Sequence, residues 1–172
     1  MRFIVFIFLL LSVSCQGQEN KEVINSIEGV QQVVSDTLNT LVLKGSIYQK
    51  DTCKILHLSF KENLGDKIQL LKNGNLIANL SLPIADIEVK NLTVGAIKES
   101  KGGFSFLVQW GGGNDFYSRN FHFEYKEGIF YLGGIGNSNY NLDTEKETTK
   151  EEKILPIIRI DELVLSEFIK NK

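Results

Sequence analysis

Along most of this chain, apolar and polar residues alternate with a period of two. Leu56, Leu58 and Phe60 do so, then Phe104 and Phe106, then Phe121, Phe123 and Tyr125, then Phe130 and Leu132. That period belongs to strands with one buried and one wetter face. The pattern predicts strands over residues 41–47, 54–60, 67–71, 76–82, 87–90 and 93–98, and three long strands between 103 and 135. A last apolar segment over 154–160 is interrupted by Pro156, which cannot donate to a ladder and so favours an edge. Asn73-Gly74 between two apolar runs reads as a tight hairpin, because both residues tolerate the positive φ angles such turns need. Lys126-Glu127-Gly128 reads as a turn, and Gly111-Gly112-Gly113 as a wide, twisted hairpin.

Two stretches change period, and one loses its apolar residues. Val23, Ile24, Ile27, Val30 and Val34 share one helical face, which predicts an amphipathic helix over 22–35 covering one face of a sheet. Leu163, Val164, Glu167 and Phe168 are spaced to suit a short C-terminal helix within 161–170. Residues 143–153 carry no apolar side chain and read as an exposed loop. The fold class is mainly β: an antiparallel meander of roughly seven to nine strands, curved into a sandwich or half-barrel, with the N-terminal amphipathic helix and the short C-terminal one.

The chain begins with a segment that must be set aside. Arg2 precedes the uninterrupted apolar run 3–11, and Ser12, Val13, Ser14 and Cys15 follow, in the charged, apolar, small order of a secretory signal. The run falls short of the roughly 20 residues a spanning helix needs. Ser14 before Cys15 resembles the lipobox of bacterial lipoproteins, which implies cleavage before Cys15 and acylation of its thiol and new amine. The alternative is a plain secretory signal cut a few residues later, near Gln18. At about 0.8 kcal/mol per buried CH₂, several acyl chains hold a protein firmly to a membrane. The expected organisation is a signal over 1–14, a tether over 15–21 and a single β-rich domain over 22–172.

Composition narrows the function classes. The chain has 172 residues, 42% hydrophobic and 23% charged, with a formal net charge of −2; this is enough apolar content for one core and no basic stripe for nucleic acid. Cys15 and Cys53 are the only cysteines, so a lipidated Cys15 leaves Cys53 without a disulfide partner. With His57 and His122 as the only histidines, no zinc cluster assembles. No metal or other cofactor is expected.

The succession Gly102-Gly103-Phe104, Trp110-Gly111-Gly112-Gly113, Asn120-Phe121-His122-Phe123-Glu124-Tyr125 and Gly128-Ile129-Phe130-Tyr131-Leu132, leading to Ile135 and Tyr140, resembles the C-terminal half of a loose group of small secreted bacterial lipoproteins. Those are related to integrin-like (FG-GAP/VCBS-type) repeat proteins. The resemblance covers residues 36–142. It implies a calcium loop upstream, but Asp36-Thr37-Leu38-Asn39-Thr40 keeps too few oxygen donors for a cation that takes six to eight. The group implies no activity.

The remaining candidates are weighed by their chemistry. His122 and Glu124 share the wetter face of one strand, an arrangement open to a general base or to an exposed polar pair. His57 reads as a polar filler. Asn137, Asn139, Asn141 and Asp143 place an oxygen at every second residue, as a polar loop rather than a metal loop. Trp110, Phe116, Tyr117 and Arg119 flank the triple glycine, and aromatics with an arginine are the residue types enriched at binding hot spots. The sequence therefore predicts a lipid-anchored cell-envelope protein acting as a binding module, with an envelope protein or glycan as partner. The outer membrane is preferred, and the body is periplasmic or surface-exposed. The alternative is an envelope hydrolase using His122 and Glu124.

Overall fold

The computed structural model describes residues 35–60, 65–84 and 89–170. The leader, Cys15, the tether and all but the last residue of the helix expected over 22–35 therefore lie outside the described residues. Ser35 opens the first strand.

The chain is mainly β, as its alternation predicts, and builds two antiparallel sheets without closing a barrel. The first is a meander of β1 (Ser35–Leu43), β2 (Cys53–Phe60), β3 (Asp66–Lys72) and β4 (Asn75–Ser81) in sequence order. The second holds β5 (Thr93–Val94), β6 (Lys98–Ser100), β7 (Gly103–Gly112), β8 (Asp115–Lys126), β9 (Ile129–Asn141) and β10 (Lys146–Arg159). Its order is β10-β9-β8-β7-β5, with β6 also on β7. Leu43, Cys53, Ile55, Ile68, Leu70 and Leu80 of the first sheet join Phe104, Phe106, Phe121, Phe123, Phe130 and Leu132 of the second in one buried cluster. The two sheets thus bury their apolar faces in a shared core.

Aromatic stacking across neighbouring strands sets the register of the second sheet. Phe104 stands opposite Phe123 and Phe106 opposite Phe121, with ring centroids 4.7 and 5.3 Å apart. Phe130 closes on Phe104 at 5.2 Å and on Tyr125 at 4.8 Å. Such pairs add to the area burial of rings that are already large apolar loads. Gly103 lets the strands approach, since a Cβ there would lie 1.9 Å from the Phe123 carbonyl oxygen. Alanine cannot be seated without parting β7 from β8.

The hairpins follow their turn residues. Asn73-Gly74 and Glu127-Gly128 carry positive φ at both positions and join strands paired at Lys72↔Asn75 and Lys126↔Ile129, as two-residue turns of this kind do. The triple glycine makes a tighter hairpin than its composition suggests. Gly112 pairs with Asp115, leaving only Gly113-Asn114 in the turn, because Gly113 takes positive φ.

Three expectations are corrected. The charged stretch expected as a loop over 143–153 enters β10 at Lys146, pairing with β9 from Asn141 onward. It needs no apolar residue, because this part of the edge strand is exposed on both faces. Its charges also protect the free edge from further pairing. The register of β10 breaks between Lys153 and Ile158, around Pro156. The C-terminal segment expected to be helical makes two short 3-10 turns, Ile160–Glu162 and Leu165–Glu167. Leu163, Leu165 and Ile169 are all buried, and a single α-helical face does not present that spacing. The strand expected over 93–98 is split into β5 and β6, with Gly95 bonding to Leu107 between them. The described residues accordingly hold ten strands.

A bulge in β9 decides which residues face inward beyond the core. His122 pairs with Gly134 but Phe123 pairs with Leu132, so Gly133 is an extra residue in β9. Phe130 and Leu132 are buried before it and Ile135 after it, a shift of parity that puts Asn137, Asn139 and Asn141 on the inner face.

One polar cluster ties the two sheets together at the β8–β9 turn. Asp51 accepts from Lys72 Nζ at 2.8 Å, from Tyr125 Oη at 2.9 Å and from Asn73 Nδ2 at 2.7 Å. Lys72 also donates to the Gly128 carbonyl at 3.1 Å. The Lys72, Asn73 and Tyr125 donors pull the Asp51 carboxyl down from 3.8 to about 2. The folded value lies below the unfolded one, so this contribution to stability is complete above about pH 4 and is lost as pH falls through about 2. Asp51→Asn should therefore flatten the melting temperature of the protein between about pH 4 and pH 2 relative to wild type. Parallel acid profiles for the two proteins would contradict the assignment.

Candidate functional site

Three of the four residues singled out beside the triple glycine come together on the inner face of the second sheet, beyond the phenylalanines. Trp110 of β7 stands opposite Tyr117 of β8, with rings 5.7 Å apart and 21° from parallel. Arg119, two residues along β8, lays its guanidinium over the Trp110 ring at 5.1 Å. Its Nη1 donates to the Ser118 carbonyl at 2.9 Å and to Asn139 Oδ1 at 3.1 Å. Phe116 points to the opposite face, 44% exposed, and is separated from the other three by the sheet.

Burial divides the group further. Trp110 is 2% and Arg119 7% exposed, while Tyr117 is half-buried and Asn139 exposed. Trp110 belongs to the core cluster, so it forms the floor of the site rather than its contact surface. Burial pulls the Arg119 pKa below its ordinary value, opposed by the Glu152 carboxylate and by Tyr117. Arginine starts so far above neutrality that it stays a cation, and its charge is held by the ring beneath it, by Asn139 and by Glu152.

From this floor the inner face continues outward over β9 and β10 as a polar shelf. Asn137 lies opposite Arg119, and Asn139 opposite Tyr117; Lys150 and Thr148 follow on β10. Glu152, opposite Ile135, approaches Asn137 Nδ2 at 3.4 Å. The outer end is stapled. Asn114 Nδ2 donates to Asp143 Oδ2, Asn141 Nδ2 to Asp115 Oδ1 at 2.8 Å, and Leu142 N to the Asn114 carbonyl at 2.7 Å. Asn141 Oδ1 also accepts from the Thr144 amide and hydroxyl at 3.0 and 2.9 Å. The oxygen at every second residue over 137–143 thus belongs to a strand and its turn rather than to a loop. Asn141 and Asp143 hold the two hairpin tips together.

The remaining candidates lie elsewhere. His57 is buried and donates from Nε2 to Asp66 Oδ2 at 2.7 Å, the filler role its position predicts. His122 and Glu124 occupy the outer face of β8, where Glu124 pairs with Lys126 at 2.5 Å and, among the described residues, no hydrogen bond joins it to His122. Cys53 is buried and free, and burial raises its thiol pKa. No group of three or more His, Cys, Asp or Glu placed to hold a metal occurs among the described residues. A cavity of about 470 Å³ lies near the β8–β9 turn, between Lys72, Asn73, Ile129 and Arg159. Both of its cations are engaged by the protein's own carboxylates, Lys72 by Asp51 and Arg159 by Asp161 at 2.9 and 3.1 Å.

The chain matches no family model, no curated protein and no solved structure. The site is therefore read from its own residues. Asn137 and Asn139 join it although their sequence pattern alone does not show it, because the Gly133 bulge reverses their facing, and Glu152 joins it by pairing opposite Ile135.

The difference between floor and rim has a measurable consequence. Trp110→Ala should cost about 3 to 5 kcal/mol in urea unfolding, as a large buried ring does, whereas Phe116→Ala should stay within about 0.5 kcal/mol of wild type, as an exposed substitution does. Equal losses in the two variants would contradict this placement.

Proposed function

We propose that the protein is a lipid-anchored component of a bacterial cell envelope that binds a partner through the polar shelf of its second sheet. The observation that supports this reading is the convergence of Trp110, Arg119, Tyr117 and Asn139 on one face. A buried aromatic and arginine floor beneath a half-exposed polar surface is the anatomy of a binding hot spot and its rim. The shelf is held at both ends, by the aromatic core at one and by the stapled hairpin tips at the other. Ligand therefore meets side chains already positioned, which lowers the entropic cost of binding. Attachment rests on the leader and Cys15. A diacylated thiol with an acylated amine anchors the body, and the polar tether keeps it clear of the bilayer surface.

Two measurements test the two halves of the proposal. Cells grown with an alkyne fatty acid should label the wild-type protein and leave Cys15→Ala unlabelled. The body freed of its leader and carrying Cys15→Ala should sediment with isolated envelopes, and adding Tyr117→Ala should weaken that association about tenfold, a loss of about 1.4 kcal/mol. An unlabelled mature protein beginning after Gln18 overturns the anchor. Equal sedimentation with and without Tyr117 overturns the shelf.

A further inference from the structure

The geometry points to a neutral oligosaccharide as the ligand of the shelf. This inference rests on the binding role proposed for that face and names the chemistry it selects. A sugar ring offers an apolar face of C–H bonds and an edge of hydroxyls, each both donor and acceptor. Its recognition calls for an aromatic surface beside planar polar side chains that can donate and accept together. Tyr117 supplies the aromatic, half-buried and braced from behind by Trp110. Asn139, exposed and already fixed through its oxygen by Arg119, turns an oriented amide toward solvent. Asn137 holds only long contacts, 3.5 Å to the Ile135 carbonyl and 3.4 Å to Glu152, so its amide can exchange them for hydroxyls. Thr148 and Glu152 add an exposed hydroxyl and carboxylate on the adjacent strand.

Spacing and charge agree with that chemistry. Alternate residues on a strand recur at about 6.6 to 6.8 Å, so the polar groups form rows along which successive sugar units can be laid. The charges near the shelf are mixed, with Arg119, Lys146 and Lys150 against Asp115 and Glu152; such a balance favours neither a polyanion nor a polycation. An extended peptide would instead seek a free strand edge, and the edge strand here carries Lys146, Lys150 and Lys153, which oppose pairing.

Trp110 is the only tryptophan in the chain and lies directly beside Tyr117, so its fluorescence reports on the shelf. The full mature protein in detergent would be titrated with hexamers of α-1,4-glucose, β-1,4-glucose, β-1,4-xylose, β-1,4-N-acetylglucosamine and α-mannose. The expected result is a saturable change in Trp110 emission with at least one of them, weakened about tenfold by Tyr117→Ala and by Asn139→Ala. Asn139→Ala also takes an acceptor from the buried Arg119 guanidinium, so its melting temperature should fall, and its binding is compared with wild type well below that temperature, where both are folded. The inference is overturned if no sugar of the panel changes the emission, or if binding survives both substitutions. If no sugar binds but Tyr117→Ala still releases the body from envelopes, the sugar assignment fails and the binding role stands. If neither readout responds, both fail.

Discussion

The second sheet depends on the register in which Phe104 meets Phe123 and Phe106 meets Phe121. A slip of one residue would turn every inward ring of one strand outward and expose several large apolar faces at once. Each such ring contributes about 1.5 to 3 kcal/mol when buried, a large part of the margin by which a domain is stable. Gly103 makes that register possible, because the Phe123 carbonyl occupies the space a side chain would need. The first sheet supplies the opposite wall, with Ile55, Ile68 and Leu70 closing over the rings, and the Asp51 cluster fastens the sheets at the β8–β9 turn.

A single extra residue converts this core into a site. Without the bulge at Gly133, the inward parity of Phe130 and Leu132 would continue through Gly134, Gly136 and Ser138, and the asparagines would face away from Arg119. With it, Ile135 completes the core and Asn137 and Asn139 line up opposite Arg119 and Tyr117. The same strand thus serves packing at one end and polar contact at the other. At about 3.3 Å per residue, Tyr117 and Tyr125 stand about 26 Å apart along β8. The shelf and the Asp51 cluster therefore belong to opposite ends of the sheet, one open to solvent and the other with its charges matched internally.

Much of the fold was legible because it is written in side-chain period and turn chemistry. The alternation of Phe121, Phe123 and Tyr125, the Asn73-Gly74 turn and the edge preference of Pro156 all read directly. The first half of β10, residues 146–153, did not, since a hairpin arm standing in solvent on both faces buries nothing that period could reveal; its only sequence trace is the charge that guards its edge. The 3-10 turns at the C-terminus escaped notice because Leu163, Val164 and Phe168 suit a helix, whereas the residues actually buried are Leu163, Leu165 and Ile169, with Val164 left exposed. For the site, residue type pointed to Trp110, Tyr117 and Arg119, but could not separate Phe116, since facing in a hairpin depends on pairing and not on proximity in sequence. Asn137 and Asn139 required the bulge, which two adjacent glycines permit but do not announce, and Glu152 required the pairing of β10 with β9.

The central claim is that the shelf is held rigid by the aromatic core and is not a frayed sheet end. Native-state amide hydrogen exchange along β8 tests it most directly. The amides of Tyr117 and Arg119 should exchange with the same free energy and denaturant dependence as those of Phe121 and Phe123, opening only when the domain unfolds. Faster exchange at Tyr117 and Arg119, insensitive to denaturant while Phe121 and Phe123 stay protected, would contradict the account.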